Sequence, residues 1–378
     1  MRITPYFLKN GHIAAGVGLV MLGLFTLSAG VVPAQAYDAC ASPQFGASGI
    51  MVDERAETAE DAQISGMRRA TEIAFARVLT RLLRDPAIVD AFIEAHEPDR
   101  FVDFFHIASE NTLAGRYIAT LDYCFVAGAL RDAFRTSGFV WAELGSPRVL
   151  VLPVWLAPDG ARAWQRDNEW LTGWRQAVAA ADGLVDFILL EPTILNERSL
   201  RAADLALADP VVLRRAATVA GADQIMLVTA RLDYRGSQQI LAVDGQLFTA
   251  NAAQMTVLGK MVDTAVSDDL STQLNLARQT ILQELESGWH AANIIRGDNT
   301  RSLTVSVPVA SLAQWVDRLA AFDTLAVIDS YVVHKLDISG GLVTLTVVGD
   351  NAAVENGLAA QRLRLRQRDD GGLVLEPR

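Results

Sequence analysis

The chain has 378 residues, enough for two or three domains that each bury a core of their own. Hydrophobic residues make up 51% and charged residues 20% of the chain, which excludes a long disordered protein. The formal net charge of −11 means that phosphate backbones would repel the chain, so no nucleic acid is expected as a partner.

Residues 1–36 have the pattern of a cleavable signal peptide. Arg2 and Lys9 precede an uncharged apolar stretch at 13–27, and Ala34-Gln35-Ala36 forms an A-x-A cleavage site. Cleavage would leave 31 basic residues against 44 acidic ones, and no later segment apolar enough to span a membrane. The chain is therefore predicted to be periplasmic. The alternative is an uncleaved helix, extended to Val32, that anchors the protein in the inner membrane.

Cys40 and Cys124 are the two cysteines of the chain. Export would place them in an oxidising compartment, where a disulfide between them is possible. The other possibility, a buried Cys124 and a free Cys40, stays open because sequence does not measure their separation.

Residues 37–138 are predicted to form an N-terminal α+β module. A short strand at 48–53 is followed by a helix that Thr58 can cap, and Pro86 starts a shorter helix. A second strand at 116–126 leads into a helix that ends at Gly138.

Residues 139–292 are predicted to form an α/β middle domain with a mixed sheet. The almost unbroken apolar run at 148–155 is typical of a strand that is covered on both faces. The Trp-rich segment 160–182 is interpreted as one helix, and strands are predicted at 186–190 and 224–233. A hairpin to 239–248 and a long amphipathic helix after Ser267 complete the domain.

Residues 293–301 are polar and are predicted to be a linker. Residues 302–378 then alternate in the order β-α-β-β-α-β, which predicts a C-terminal ferredoxin-like domain. The fold class is thus α/β and α+β: small modules in series, with a mixed-sheet middle domain between two α+β modules.

Two short segments carry a likeness to a known family. Residues 138–141 (Gly-Phe-Val-Trp) and 146–152 (Ser-Pro-Arg-Val-Leu-Val-Leu) resemble the proteobacterial exported family called domain of unknown function 2066. The order Pro147-Arg148 departs from the Arg-Pro order of that family. The resemblance covers roughly residues 48–290 and implies a periplasmic protein without an established activity.

A second likeness concerns residues 209–232. A helix that starts at Asp209-Pro210, the turn Gly221-Ala222-Asp223 and the strand after it resemble the amino-terminal domain of the translocation protein TolB. This resemblance implies a structural or protein-contact role.

The search for catalytic motifs finds no G-x-S-x-G, Walker or G-x-G-x-x-G pattern, so no catalytic residue and no cofactor is predicted. His96 and His106 lie near Glu97 and Asp99, but Pro98 breaks the helix that would align two ligands. No metal site is predicted there.

Two groups of residues could form a surface for a ligand or partner. Trp164, Trp170 and Trp174 could stack on a sugar or a protein if they are exposed, although such tryptophans more often fill a core. Arg362, Arg364, Arg366 and Arg368 alternate, so in a strand they would form one basic face for an anionic partner or simply a solvated edge.

The sequence therefore predicts a non-enzymatic protein-contact or assembly factor of the cell envelope, with an unidentified envelope protein as partner. A periplasmic ligand-binding protein or enzyme, with its site near Trp155–Trp174, is the alternative. The oligomeric state is left open.

Overall fold

The computed structural model describes residues 40–249, 269–297 and 299–378, and the backbone of 255–257 and 264–265. The chain divides into residues 1–33 and residues 34–378, and the described residues all belong to the second unit. The predicted signal peptide lies outside the described residues and stays a prediction. Within the described ranges, every helix is too short or too polar to cross a bilayer.

The N-terminal module is a three-stranded antiparallel sheet covered on one face by helices. Its strand order is β1-β3-β2, and Thr58 caps α1 by accepting the Asp61 N–H at 3.1 Å. Its elements are β1 (Gly46–Arg55), α1 (Ala59–Leu83), α2 (Pro86–Ala95), β2 (Val102–Leu113), β3 (Arg116–Phe125) and α3 (Ala127–Thr136).

A disulfide joins Cys40 to Cys124 at the end of β3, with the two Cα atoms 5.7 Å apart. The bond therefore ties the segment before β1 to the sheet of this module. Of the two possibilities left open by the sequence, the structure contains the bridged one.

The middle domain is built around β4, which lies between two parallel neighbours, β6 and β7. Alternate residues of β4 enter two different cores, which explains its continuous apolar run: Val149 and Val151 on one face, Leu150 and Leu152 on the other. The main strand order of the sheet is β10-β8-β7-β4-β5, and β6 pairs with β4 outside this order. The elements are β4 (Val149–Ala157), β5 (Gly160–Arg162), α4 (Glu169–Ala180), β6 (Phe187–Leu189), α5 (Ile194–Ser199), α6 (Ala202–Ala206), α7 (Pro210–Ala220), β7 (Gln224–Arg235), β8 (Gln238–Thr249), β9 (Met255–Val257), β10 (Thr264–Ala265) and α8 (Leu270–Ala292).

The single helix predicted at 160–182 is wrong. Residues 160–162 turn back as β5 and pair with the end of β4, and α4 begins only at Glu169. The helix starts there because the Asn168 side chain accepts the N–H groups of Trp170 and Leu171.

The C-terminal module confirms the predicted order of elements and adds one feature to the ferredoxin-like pattern. The last strand, β15, inserts between β14 and β11 and runs parallel to β11, so the sheet order is β12-β13-β11-β15-β14. The elements are β11 (Thr300–Pro308), α9 (Leu312–Thr324), β12 (Ile328–Asp337), β13 (Gly340–Val348), α10 (Asn351–Ala360), β14 (Leu363–Gln367) and β15 (Leu373–Pro377). The predicted fold class, α/β and α+β, is confirmed.

The cores of the N-terminal and C-terminal modules are continuous with each other, where the sequence predicted a core for each domain. Buried residues of the N-terminal and C-terminal modules form one contiguous cluster, whereas two other clusters flank the middle sheet. The segment predicted as a polar linker takes part in the shared core: Ile295 is buried and exchanges two backbone hydrogen bonds with Trp141, at 2.7 and 3.3 Å.

The C-terminal half of α8 joins the middle domain to α1. The buried Glu286 carboxylate accepts the N–H groups of Leu184 and Val185, both at 3.0 Å, and lies 3.8 Å from Arg84 of the α1 cap. One turn further on, the His290 Nε2–H donates to the Leu82 carbonyl at 2.8 Å. Burial raises the pKa of Glu286 and lowers the pKa of His290.

Breaking the disulfide is expected to destabilise the protein through the unfolded chain. The bond closes a loop with a sequence separation of 84 residues, so losing it should cost about 4.5 kcal/mol of unfolding free energy. Denaturant titration with and without reductant measures this, and a Cys40→Ser/Cys124→Ser variant should be insensitive to reductant. An unchanged midpoint on reduction would contradict the expectation.

His290 is expected to make the stability depend on pH. Because its pKa is lowered in the folded protein, its neutral form is the stable one there. The stabilisation that this neutral imidazole gives to the folded protein is complete above the ordinary histidine pKa of about 6.5. It is lost as the pH falls below that value. Urea unfolding at about pH 7.5 and about pH 5 should show that the unfolding free energy falls less for His290→Asn than for the wild type. The control His334→Asn changes an exposed imidazole and should keep the wild-type slope; equal slopes for all three proteins would refute the assignment.

Candidate functional site

A cavity of about 180 Å³ opens beside the carboxyl end of β4. Ligand sites of α/β sheets commonly lie at this end of the parallel strands. The walls are Trp155 and Arg162 of the β4–β5 hairpin, residues 167–170 at the start of α4, and Leu270 and Leu274 of α8. Three separate elements thus converge on one small space.

The polar groups of the cavity differ in whether they already have partners. Arg162 forms an ion pair with Asp159 at 2.8 Å, and the Asn168 amide caps α4 and donates to the Arg162 carbonyl at 3.3 Å. By contrast, Asp167 and Glu169 are exposed and have no hydrogen bond or ion pair with any described side chain. Two carboxylates therefore remain available at the rim.

Of the two alternatives for Trp164, Trp170 and Trp174, the structure contains the buried core and not the exposed surface. All three are buried, and their rings fill the space between the middle sheet and its helices. The indole N–H of Trp164 donates to the Leu200 carbonyl at 2.7 Å, and that of Trp170 donates to the Val228 carbonyl at 3.2 Å. The rings of Trp170 and Trp174 meet edge to face at 5.6 Å. Of these three tryptophans, Trp170 borders the 180 Å³ cavity, next to the half-buried Trp155.

Arg278 of α8 is a buried cation that the sequence analysis did not identify. It is 2% exposed, its guanidinium lies 5.3 Å from the centre of the Trp170 ring, and burial lowers its pKa. Its Nη1 has no hydrogen-bond partner among the described residues. The sequence did contain a signal, because Arg278 is in phase with Leu274 and Ile281 on the apolar stripe of α8.

Of the four arginines predicted to form one basic face, only two lie within the strand β14. Arg364 and Arg366 lie side by side on β14, and both form ion pairs with Glu376 of β15, at 2.8 and 3.1 Å. Arg362 precedes the strand with a φ of 56°, and Arg368 follows it in the hairpin turn. All four side chains are exposed, but the shared carboxylate offsets part of the charge.

The two histidines considered for a metal site make separate contacts. His96 stacks on Phe92 with ring centroids 4.2 Å apart, and His106 lies 3.4 Å from Asp122. Among the residues that the structure describes, three or more potential metal ligands do not gather anywhere.

No family model and no curated protein matches the sequence. Among solved structures, the chain is similar to a lipoprotein from Neisseria meningitidis, with 14% identity, covering 38% of this chain and 99% of that one at a TM-score of 0.24. A hypothetical protein from Chlamydia trachomatis is similar at 12% identity, covering 38% of this chain and 96% of that one, also at 0.24. Scores this low support no conclusion about fold or function, and the two family resemblances stay predictions.

The contact between Gly173 and Arg278 gives a test of how tightly the site is packed. A Cβ at position 173 would collide with the guanidinium of Arg278, so Gly173→Ala should destabilise the protein by roughly 1–3 kcal/mol. Combining it with Arg278→Ala should cost less than the sum of the two single changes, because the collision is then removed. Denaturant unfolding of the full cycle measures the coupling.

Gly288→Ala is the matched control, because Gly288 is also helical but its Cβ would meet open space. That change should leave stability unchanged or raise it by about 0.5–1 kcal/mol. Strict additivity of Gly173→Ala and Arg278→Ala would mean that the two residues do not constrain each other.

Proposed function

We propose that the chain is an exported, non-enzymatic protein-contact factor of the cell envelope, and that it binds an extended strand of an envelope protein. The binding surface in this proposal is the α9–β12 patch, defined as Leu312 and Val316 of α9 with Val333 and Leu336 of β12. The observation that carries the proposal is the exposure of these four apolar side chains beside an open sheet edge.

Export is supported by the signal-peptide pattern of residues 1–36 and by the disulfide between Cys40 and Cys124. Disulfides persist in oxidising compartments such as the bacterial periplasm and are rare in the cytosol. An envelope partner would share that compartment.

The four apolar side chains of the α9–β12 patch are strongly exposed to solvent. The exposed fractions are 71% for Leu312, 56% for Val316, 40% for Val333 and 47% for Leu336. Contiguous apolar surface of this kind marks contact sites for proteins, whereas single exposed apolar residues do not.

Helix geometry indicates that the four side chains are neighbours. Leu312 and Val316 are one turn apart, on the flank of α9 that also carries Asp323, whose carboxylate contributes to the raised pKa of Tyr331 on β12. The Phe322 and Tyr331 rings meet at 5.6 Å near one end of α9.

The other end of α9 is held against the same region of the sheet. A Cβ on Gly341 would meet the Trp315 ring, so that ring lies directly on the backbone there, and Gly341 pairs with Leu336. Since α9 and β12 run side by side between these two points, Leu312, Val316, Val333 and Leu336 lie on two adjacent elements.

The sheet edge determines which kind of occupant fits the patch. β12 is the terminal strand of its sheet and pairs only with β13 along the described order. An extended segment can hydrogen-bond to the outer edge of β12 and place alternate apolar side chains on the patch. A helix could cover the apolar side chains but would leave the edge of the strand unpaired.

Site-specific crosslinking in cells tests the proposal. A photo-crosslinking residue at Val333 of the exported full chain should form a discrete adduct with an envelope protein. Adding Val316→Glu should reduce the yield of that adduct at least about tenfold, because the contact would bury an unpaired charge. Leu276→Glu is the control, because Leu276 is an exposed apolar residue of α8 outside the patch; it should keep the adduct.

Thermal unfolding checks that both glutamate variants are folded. Equal loss of the adduct in the two variants, or no loss in Val316→Glu, would refute the assignment of the patch. An adduct with a second copy of the chain would replace the proposed partner with self-association.

A further inference from the structure

We infer that the cavity beside the carboxyl end of β4 binds a small organic ammonium ion. The observation is the combination of the Trp155 and Trp170 rings with the exposed carboxylates of Asp167 and Glu169 around a space of about 180 Å³. Pockets for drug-sized ligands are larger, about 300–1,000 Å³, so the cavity suits a ligand of the size of choline.

The aromatic part of the cavity is formed by Trp155 and Trp170. Trp170 is 1% exposed, and the Arg278 guanidinium already lies 5.3 Å from its ring centre. The half-buried Trp155 therefore offers the ring surface to a ligand. Tryptophan rings attract ammonium groups through their electron-rich faces, and quaternary ammonium ions are recognised in this way.

The charges around the cavity favour a cation. Asp159 neutralises Arg162, and the Coulomb interaction of Glu169 with Arg278 offsets the buried guanidinium. Asp167 remains as negative charge that no described side chain balances. This one unbalanced carboxylate would attract a positive ligand and repel an anion.

This site is independent of the α9–β12 patch. The cavity is built from α4, α8 and the end of β4, whereas the patch belongs to the C-terminal sheet. Variants can therefore test either one without changing a residue of the other.

Calorimetric titration with choline tests the inference. Choline should bind the full chain, and its neutral isostere with carbon in place of nitrogen should bind at least about tenfold more weakly, because it lacks the charge. Glu169→Gln and Asp167→Asn should each weaken choline binding by about threefold or more, and raised salt should weaken it further. Both residues are exposed, so neither variant removes core packing.

Glu197→Gln is the matched control, because Glu197 is also a first-turn carboxylate of a capped helix, α5, away from the cavity. It should bind choline as the wild type does. Equal binding of choline and its neutral isostere, tighter binding of a neutral sugar, or no heat with choline at millimolar concentration would each overturn the inference. Unchanged choline binding in both cavity variants would place any bound choline elsewhere.

Discussion

The buried carboxylate of Glu286 is the interaction on which the arrangement of the N-terminal and middle modules depends. It accepts two backbone N–H groups from the loop before β6, and this loop comes so close that a Cβ at Gly183 would collide with the carboxylate. An ionised group buried in this way is tolerated because its oxygens are hydrogen-bonded and Arg84 is near. The neighbouring Asp182 forms an ion pair with the buried Arg81 of α1. One loop is thus held from two sides, by α8 and by α1.

The same helix links these contacts to the third module. Beyond His290, the chain enters Asn293 and Ile295, which are buried, and Asn293 accepts a hydrogen bond from Asn356 of α10 at 3.0 Å. The segment is polar in sequence, yet the Asn293 side chain is hydrogen-bonded and Ile295 joins the shared core. The polar composition therefore predicted a linker where the structure has packed residues, because hydrogen bonding within a tertiary contact is not visible in composition.

Much of the fold could be predicted from local patterns where one periodicity dominates. The run Val149–Ala157 and the alternation of β13 indicate strands because each reports burial on defined faces. The strand β2 could not be predicted, since most of its residues are exposed and the pattern Phe105–Ile107 is interrupted by a bulge before Ser109. The sharing of one core by the first and third modules also could not be predicted, because it depends on contacts between residues far apart in the chain.

The candidate site could also be predicted only in part, because its residue types are visible in the sequence and their positions are not. The cluster of tryptophans was evident from the sequence, but which ring borders a cavity depends on how the β4–β5 hairpin turns and where Asn168 starts α4. Arg278 illustrates the reverse case: its position on an apolar stripe was readable, yet its burial needs Gly173 opposite, on a different helix. The cavity thus has walls fixed by a filled core, which suits discrimination by charge, whereas the α9–β12 patch offers an open strand edge, which suits recognition through the backbone. Two recognition surfaces of such different physical kinds can coexist on one chain because neither needs the other to change shape.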